Sequence, residues 1–227
     1  MCHTAKHDPK HAIPDRKWQM FSIKVAELKD IDNDFKWPLQ VYGFIAVRDS
    51  IDPRRNLLFQ RDRSNCQTIT EEEPFLLLTG PSRAVVVIDP VSFEVQLKVK
   101  GKTEHSEDKT LVVDAFASQH AIAYMTHPVR PFTIDVDGVH CKLELTQALL
   151  EQSVEATIMV EVHDGSWPEA SPARVTACTD SVPDWDILLI DSGNETPTFS
   201  RSGLIKLSRR VVSVELSGQL RINVEAK

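Results

Sequence analysis

Two pairs of arginines are the residues in this sequence whose types and spacing could bind an anion. Arg61 and Arg63 flank Asp62 at the end of an apolar run, and Arg54-Arg55 precede the same run. In an extended chain alternate side chains point the same way, so Arg61 and Arg63 could together clamp a phosphate or a carboxylate. These four arginines are the candidate residues for binding an anion or a partner.

Pairing within the chain is the alternative for these arginines. Asp49, Asp52 and Glu71–Glu73 are close in sequence, and the chain carries 33 acidic against 26 basic residues, a net charge of −7. Charged side chains at a protein surface are mostly solvated or paired. We therefore expect Arg61 and Arg63 to be structural and to close an arch after a strand, with anion or partner binding as the second interpretation.

The net charge also restricts the class of partner. An acidic surface does not attract nucleic acid or an anionic membrane over long range, although a local arginine patch keeps RNA binding as an alternative. The sequence has no apolar leader and no run of about 18 apolar residues that could span a membrane. We expect an intracellular protein, with another protein as its partner and no membrane contact.

The patterns for metal binding and catalysis are incomplete. Three histidines of the N-terminal tail are spaced by four residues, but Pro9 lies among them and argues against a helix that would align them: His3, His7 and His11. Asp30–Asp34 resembles the start of a calcium loop, yet Phe35 stands where that loop needs glycine. Neither a nucleophile elbow nor a zinc-protease helix motif occurs. We expect no cofactor, no metal and no catalytic residue.

Two tryptophans lie beside prolines in segments that have the composition of loops. Trp167 precedes Pro168, and Trp185 follows Pro183-Asp184. Such a side chain either plugs the end of a β-sandwich or anchors a partner, because a large aromatic ring buries much apolar surface in either setting. Trp167 and Trp185 are the candidate loop anchors.

The elements that would position these residues are strands, because apolar and polar residues alternate with a period of two. Two segments show this directly, Phe93–Lys100 and Val154–His163. Two hairpins are predicted, one turning at Asp137-Gly138 and one that joins Val212–Leu216 to Leu220–Val224. Three short runs are apolar on both faces and suit covered strands: Leu39–Val47, Ala84–Ile88 and Ile187–Ile190.

This spacing predicts an all-β fold, an antiparallel β-sandwich or barrel-like sandwich with at most one or two short helices. The helical candidate is Leu145–Gln152. Residues 1–17 are polar and aperiodic and are predicted to be a disordered tail. Residues 18–227 are predicted to be a single β-rich domain.

Five long phrases, spread from residue 20 to residue 216, carry a resemblance to a known family. They are MFSIKVAEL (20–28), WPLQVYGFIAVRDSIDPRRNLLFQRDRSNCQTI (37–69), LLLTGPSRAVVVIDPVSFEVQLKVKG (76–101), QSVEATIMVEVHDGSWP (152–168) and LSRRVVSVEL (207–216). The sequence resembles the grass-specific family of an uncharacterised domain, which is also similar to the non-toxin half of the jasmonate-induced ribosome-inactivating-type protein. The resemblance implies a β-rich intracellular domain without an established reaction, and it supplies no catalytic residues.

We therefore expect a non-catalytic module for protein interaction or regulation, acting in plant stress or defence. Edge strands and loop tryptophans would make the contacts, by strand addition or by insertion of an anchor. One alternative is a ribosome-associated or RNA-associated factor that uses the arginines. The other is a lectin-like sandwich that binds a small molecule.

Overall fold

The strands of this protein form antiparallel sheets, which confirms the predicted all-β class. The computed structural model describes residues 13–29, 35–101, 107–118 and 129–226. In these ranges the regular elements are thirteen strands and one 3₁₀ turn, Arg63–Asn65. The strands are β1 (Asp15–Leu28), β2 (Leu39–Arg48), β3 (Asn56–Arg61), β4 (Gln67–Ile69), β5 (Val85–Val86), β6 (Val91–Val99), β7 (Lys109–Ser118), β8 (Phe132–Asp137), β9 (Cys141–Thr157), β10 (Ala173–Thr179), β11 (Ile187–Asp191), β12 (Val211–Glu215) and β13 (Leu220–Ala226).

Three sheets pack into layers. The shared sheet has the order β12-β9-β1-β5, with β8 also paired to β9. The large outer sheet has the order β3-β2-β6-β7, with β4 also paired to β2, and the small outer sheet has the order β11-β10-β13. One hydrophobic core fills the space between the shared and large outer sheets, and a second core lies between the shared and small outer sheets. No helix in the described ranges is long and apolar enough to cross a membrane.

A β-bulge in β1 allows one strand to serve both cores. The pairing of β1 with β9 shifts between Met20 and Ser22, so Phe21 is an extra residue on the β1 side. Trp18 and Met20 before the bulge, and Ile23 and Val25 after it, all face the first core, whereas Phe21 faces the second. Without the bulge, the alternation of side chains would turn Ile23 and Val25 away from the first core.

The predicted helix Leu145–Gln152 is wrong, because this segment lies inside β9. Its composition suits a helix, but β9 is bordered by β1 on one side and by β8 on the other. Leu145 and Leu149 enter the first core and Ala148 the second. Burial on both faces removes the alternation that marks a half-exposed strand, and tertiary packing then overrides local propensity.

Two further predictions at the C-terminal side are corrected. β12 pairs with β9 and β13 pairs with β10, so the predicted hairpin Val212–Val224 is absent and the chain instead crosses from one sheet to another. The predicted strand Val154–His163 ends at Thr157, after which Glu161 forms only an isolated bridge with Leu204. A local alternating pattern identifies a strand but not its neighbour, which is why the hairpin was wrongly predicted. The same pattern continues past Thr157 although the backbone pairing ends there.

Other predictions need only adjusted boundaries. The hairpin of β8 and β9 is confirmed, but its turn is longer than two residues because Asp137 pairs with Lys142. The run Leu39–Val47 is confirmed as a strand, β2, but it is not covered on both faces, since Gln40 is exposed and Tyr42 and Phe44 are half-buried. Only Val85–Val86 pairs within Ala84–Ile88. Ile187–Ile190 is confirmed as a strand, although it lies at the side of its sheet. β1 begins at Asp15, three positions before the expected start of the folded part.

Replacing Gly43 by alanine should destabilise the large outer sheet strongly. Gly43 in β2 has φ +121°, and an added Cβ would lie 2.1 Å from the backbone oxygen of Gln96 in the neighbouring strand. We expect G43A to lower the free energy of unfolding by about 3 kcal/mol or more, measured by urea denaturation.

The matched control is G165A. Gly165 also has positive φ, +94°, but no heavy atom lies within 4 Å of the added Cβ. The free energy of unfolding of this variant should fall only by the backbone strain of a non-glycine residue at positive φ, about 1–2 kcal/mol. Equal losses in the two variants would show that the close approach at Gly43 is unimportant.

Candidate functional site

Arg63 is held by a buried carboxylate that the sequence did not reveal as its partner. Its Nε and Nη2 donate to the two oxygens of Asp108 at 2.7 and 3.1 Å. The Tyr42 hydroxyl and the Gly101 amide donate to the same carboxylate, each at 2.7 Å. Only 1% of the Asp108 side chain is exposed. The guanidinium therefore ties the turn after β3 to the start of β7 instead of facing solvent.

The protonation equilibria of this group reflect the same contacts. Hydrogen bonds from Arg63 hold the pKa of Asp108 well below its usual value. Burial and the hydrogen bond to Asp108 raise the pKa of Tyr42 to about 12. At neutral pH the cluster is thus an ionised carboxylate between a cation and a neutral phenol, which leaves Arg63 without a free charge for an external anion.

Arg54 and Arg55 are also neutralised by carboxylates. Arg54 is exposed and pairs with Asp52 at 2.8 Å. Arg55 pairs with Glu94 at 2.7 Å, and its guanidinium lies 4.7 Å from the centre of the Phe44 ring. Asp49, the other expected partner, instead binds Arg83 through two hydrogen bonds of 2.6 Å.

Arg61 differs from the other three arginines. Its Nη1 donates a 3.5 Å hydrogen bond to the side chain of Asn65, and its Nε is buried without a partner among the described residues. The side chain lies between two shallow clefts of about 310 and 360 Å³. Because the chain turns into a 3₁₀ turn after Arg61, Arg61 and Arg63 do not share the face of an extended strand. Both arginines line the cleft of about 310 Å³, but Arg63 is held by Asp108, so an anion bound by both would compete with that ion pair.

The two loop tryptophans occupy different environments. Trp167 is partly buried, donates its Nε1–H to the Ser171 carbonyl at 2.8 Å and packs near Phe199 in the second core. Trp185 is 41% exposed, and its ring centre lies 5.5 Å from that of Phe21. Trp167 therefore acts as a plug, whereas Trp185 keeps an accessible aromatic face.

The unpaired edge of β13 was not predicted, because the sequence pattern placed this strand in a hairpin with Val212–Leu216. β13 pairs with β10 along its whole length, and within the described ranges no strand pairs with its other edge. Ile222 and Val224 share a face with the buried Val175 and Ala177 of β10, yet they remain 38% and 44% exposed. An alternating apolar strand was predicted here, but its exposure follows from its position at the edge of the sheet.

A cleft beside β13 extends this surface. It has a volume of about 730 Å³ and lies between Ile222 and the irregular segment 158–163. Its apolar lining includes Met159, which is 70% exposed. We call β13 together with this cleft the β13 surface.

A second, larger cleft lies between the shared and small outer sheets. It has a volume of about 780 Å³ and runs between the segment 75–78 and β11. Phe21 and Arg209 are part of its lining, so the bulge in β1 places an aromatic ring there. We call this space the inter-sheet cleft. The sequence carries one signal for this cleft, the arginine pair Arg209-Arg210 directly before β12, which was not recognised as a candidate site.

The remaining sequence hypotheses concern metals. Among the residues that the structure describes, no three histidine, cysteine or acidic side chains lie close enough together to hold a metal ion. The tail histidines and Asp30–Asp34 lie outside the described residues. Phe35, at the position where a calcium loop needs glycine, packs into the first core.

A family model described as "Domain of unknown function (DUF6598)" matches residues 18–227. The chain belongs to this family. The match spans nearly all the sequence and begins at Trp18, in the first half of β1. Membership of the DUF6598 family assigns no reaction.

Two solved structures show weak similarity to this DUF6598 chain. One contains the C2A and C2B domains of Extended-Synaptotagmin 2, with a TM-score of 0.31, 9% identity and coverage of 100% of this chain and 79% of that chain. The other contains the SMP, C2A and C2B domains of the same protein, with a TM-score of 0.30, 8% identity and coverage of 95% and 47%. Similarity at this level supports no conclusion on function. No curated protein matches the sequence.

Replacing Arg63 by glutamine should make the stability less dependent on pH. The folded-state pKa of Asp108 lies below its usual 3.8, so the pair stabilises the fold above that value and its contribution is lost as the pH falls towards the lower pKa. The difference in free energy of unfolding between wild type and R63Q should therefore be largest above about pH 5 and shrink below about pH 4.

Urea denaturation at a series of pH values measures this difference. Arg54→Gln is the matched control, because Arg54 pairs in an exposed position and should change stability little at any pH. A difference for R63Q that stays constant from neutral to acidic pH would contradict the role given to the Arg63–Asp108 pair.

Proposed function

We propose that this DUF6598 domain is a non-catalytic protein-interaction module that binds an extended segment of its partner along the open edge of β13. The observation that carries the proposal is the exposure of this strand. Six of its seven residues are exposed, and only one of its two edges is paired within the described part of the chain. An unpaired edge presents backbone N–H and C=O groups in the spacing that another strand requires.

The cleft beside β13 supports specificity in this binding mode. In strand addition the backbone hydrogen bonds give affinity, while pockets for alternate side chains select the sequence. Ile222 and Val224 lie on one face of β13, and Ile222 lines the cleft together with Met159 and Leu204. A partner strand with apolar residues at alternate positions would therefore bury them in this cleft. The flexible Met159 side chain can adapt to different shapes.

The charged residues of β13 favour selective pairing of this edge over aggregation. Arg221 forms an ion pair with Asp180 at 3.2 Å, and Asn223 donates to Glu225 at 2.7 Å. Charged residues on an edge strand discourage pairing with unsuitable chains. These residues therefore limit which partners can add a strand, while the edge itself stays open.

The two alternatives have less support. RNA binding would use Arg54, Arg55, Arg61 and Arg63, but three of these pair with carboxylates of the chain itself. The remaining Arg61 supplies one positive charge in a protein of net charge −7. A lectin-like function would need an open concave site for a sugar, and the clefts beside Arg61 are shallow. The setting that we propose, following the sequence resemblance, is stress or defence in grasses.

A single lysine on the inner face of β13 should abolish capture of the partner. Val224→Lys places a charge against the bound strand, whereas the fold is retained because Val224 is already 44% exposed. The wild-type protein and the V224K variant are each immobilised and incubated with cereal leaf extract. We expect the wild type to retain a protein partner after ribonuclease treatment and the V224K variant to lose it. Mass spectrometry of the captured proteins measures the difference.

Asn223→Lys is the matched control, because it adds the same charge to the neighbouring residue on the opposite face of β13. It should keep most of the partner. Equal loss in both variants would indicate a general charge effect. A complex that dissociates with ribonuclease, and that is lost with Arg61→Ala, would support RNA binding in place of strand addition.

A further inference from the structure

Arg209 is a buried cation whose charge the fold does not balance. It is 1% exposed and is among the largest fully buried side chains. Its Nη2 donates to the carbonyl oxygen of Met20, next to the bulge in β1, while Nε and Nη1 are buried without a partner. A guanidinium presents five N–H donors, and most of those in Arg209 are unused.

Within the part of the chain that the structure describes, no carboxylate compensates this charge. Burial lowers the pKa of Arg209 to about 9, and no acid among these residues contributes to the shift. The other arginine of the inter-sheet cleft, Arg174, is already paired with Asp191 at 3.0 Å. Removing an unpaired charge from water costs several kcal/mol, so such a group is rarely kept without a partner.

The inter-sheet cleft gives a ligand access to this region. Arg209 and Phe21 lie in its lining, with Leu188 of β11 on one side and Leu76 on the other. The volume of about 780 Å³ is in the range of small-molecule sites. Four acidic residues line the cleft. Glu72, Glu73 and Asp186 are exposed, so water screens their charges, and Asp191 is paired with Arg174.

The wall opposite β11 is preorganised by backbone and side-chain hydrogen bonds. The Gln67 side chain donates to the Phe75 carbonyl at 2.9 Å and accepts from the Leu77 amide at 2.8 Å. The Leu76 amide donates to the Ile23 carbonyl at 2.8 Å, which attaches the segment to β1. A cleft with fixed walls loses little entropy when a ligand binds.

We propose that the inter-sheet cleft binds a small organic acid, whose carboxylate is neutralised by Arg209 and whose apolar body packs against Phe21 and Leu188. A single guanidinium matches the single charge of a carboxylate, whereas a phosphate dianion would need a second free cation. Trp185 packs on Phe21, with 5.5 Å between the ring centroids. The site is separate from the β13 surface, so each can fail without the other.

Titration of the full-length protein with 3-phenylpropanoate, hexanoate and 3-phenylpropanamide tests this site. Saturation-transfer NMR of the ligand signals is the readout. The two acids should bind and the amide should not, and inorganic phosphate, which has no carbon-bound protons to observe, should fail to displace 3-phenylpropanoate in competition. Arg209→Met should weaken binding of the acids by at least about tenfold, because a cation without a carboxylate partner is removed from the cleft.

Arg209→Met should also fold at least as stably as wild type. Methionine fills a similar volume without a buried charge, and the Met20 carbonyl keeps a hydrogen bond from the side-chain Nε2 of Gln19 at 2.9 Å. Arg174→Gln is the control within the same cleft, and it should leave binding of the acids unchanged. Equal binding of the acids to wild type and R209M would overturn the proposal, as would the absence of binding to wild type.

A second measurement applies if R209M does not fold. The Nε–H signal of Arg209 in the ¹⁵N NMR spectrum of the wild-type protein should shift when 3-phenylpropanoate is added and stay in place with the amide. An unchanged signal would assign Arg209 to the β1 bulge alone and overturn the proposal.

Discussion

The antiparallel pairing of β1 with β9 is the interaction on which the rest of the structure depends. These are the two longest strands, and the sheet that contains them lies between both hydrophobic cores. The bulge at Phe21 makes this shared use possible, because it keeps the apolar residues on either side of it in the first core while one aromatic ring enters the second. The side chain of Arg209 contacts the carbonyl of Met20 at the same bulge. The central pairing and the inter-sheet cleft are therefore parts of one local arrangement.

Arginine–carboxylate pairs perform a different task at the periphery. Arg63 with Asp108 and Arg83 with Asp49 each fix a turn through an acid that is 1% exposed. Pairs of this kind are costly to break, because one partner would remain buried and charged. Within the arginine-rich phrase, Arg63 therefore contributes to loop architecture. The β13 surface and the inter-sheet cleft involve none of the four arginines of that phrase.

The period-two pattern was sufficient to predict the fold class and the β8–β9 hairpin. It failed for Leu145–Gln152, where burial on both faces hides the period, and for β12 and β13, whose adjacent patterns suggested a hairpin that the topology does not contain. The structural role of Arg63 was anticipated, but Asp108 was not identified because 45 positions separate the two residues. The burial of Arg209 could not be recognised from the sequence, because the elements that surround this side chain meet only in the folded chain.

Photo-crosslinking at β13 is the measurement that tests the account most directly. One variant carries a photoreactive amino acid at position 224, and a second variant carries the same group at position 44 on the large outer sheet. Each variant is incubated with leaf extract and irradiated. The account predicts that position 224 forms adducts with one peptide segment of a partner protein and that position 44 does not. Adducts with RNA, or protein adducts at position 44 but not at 224, would contradict the assignment of β13 as the binding edge.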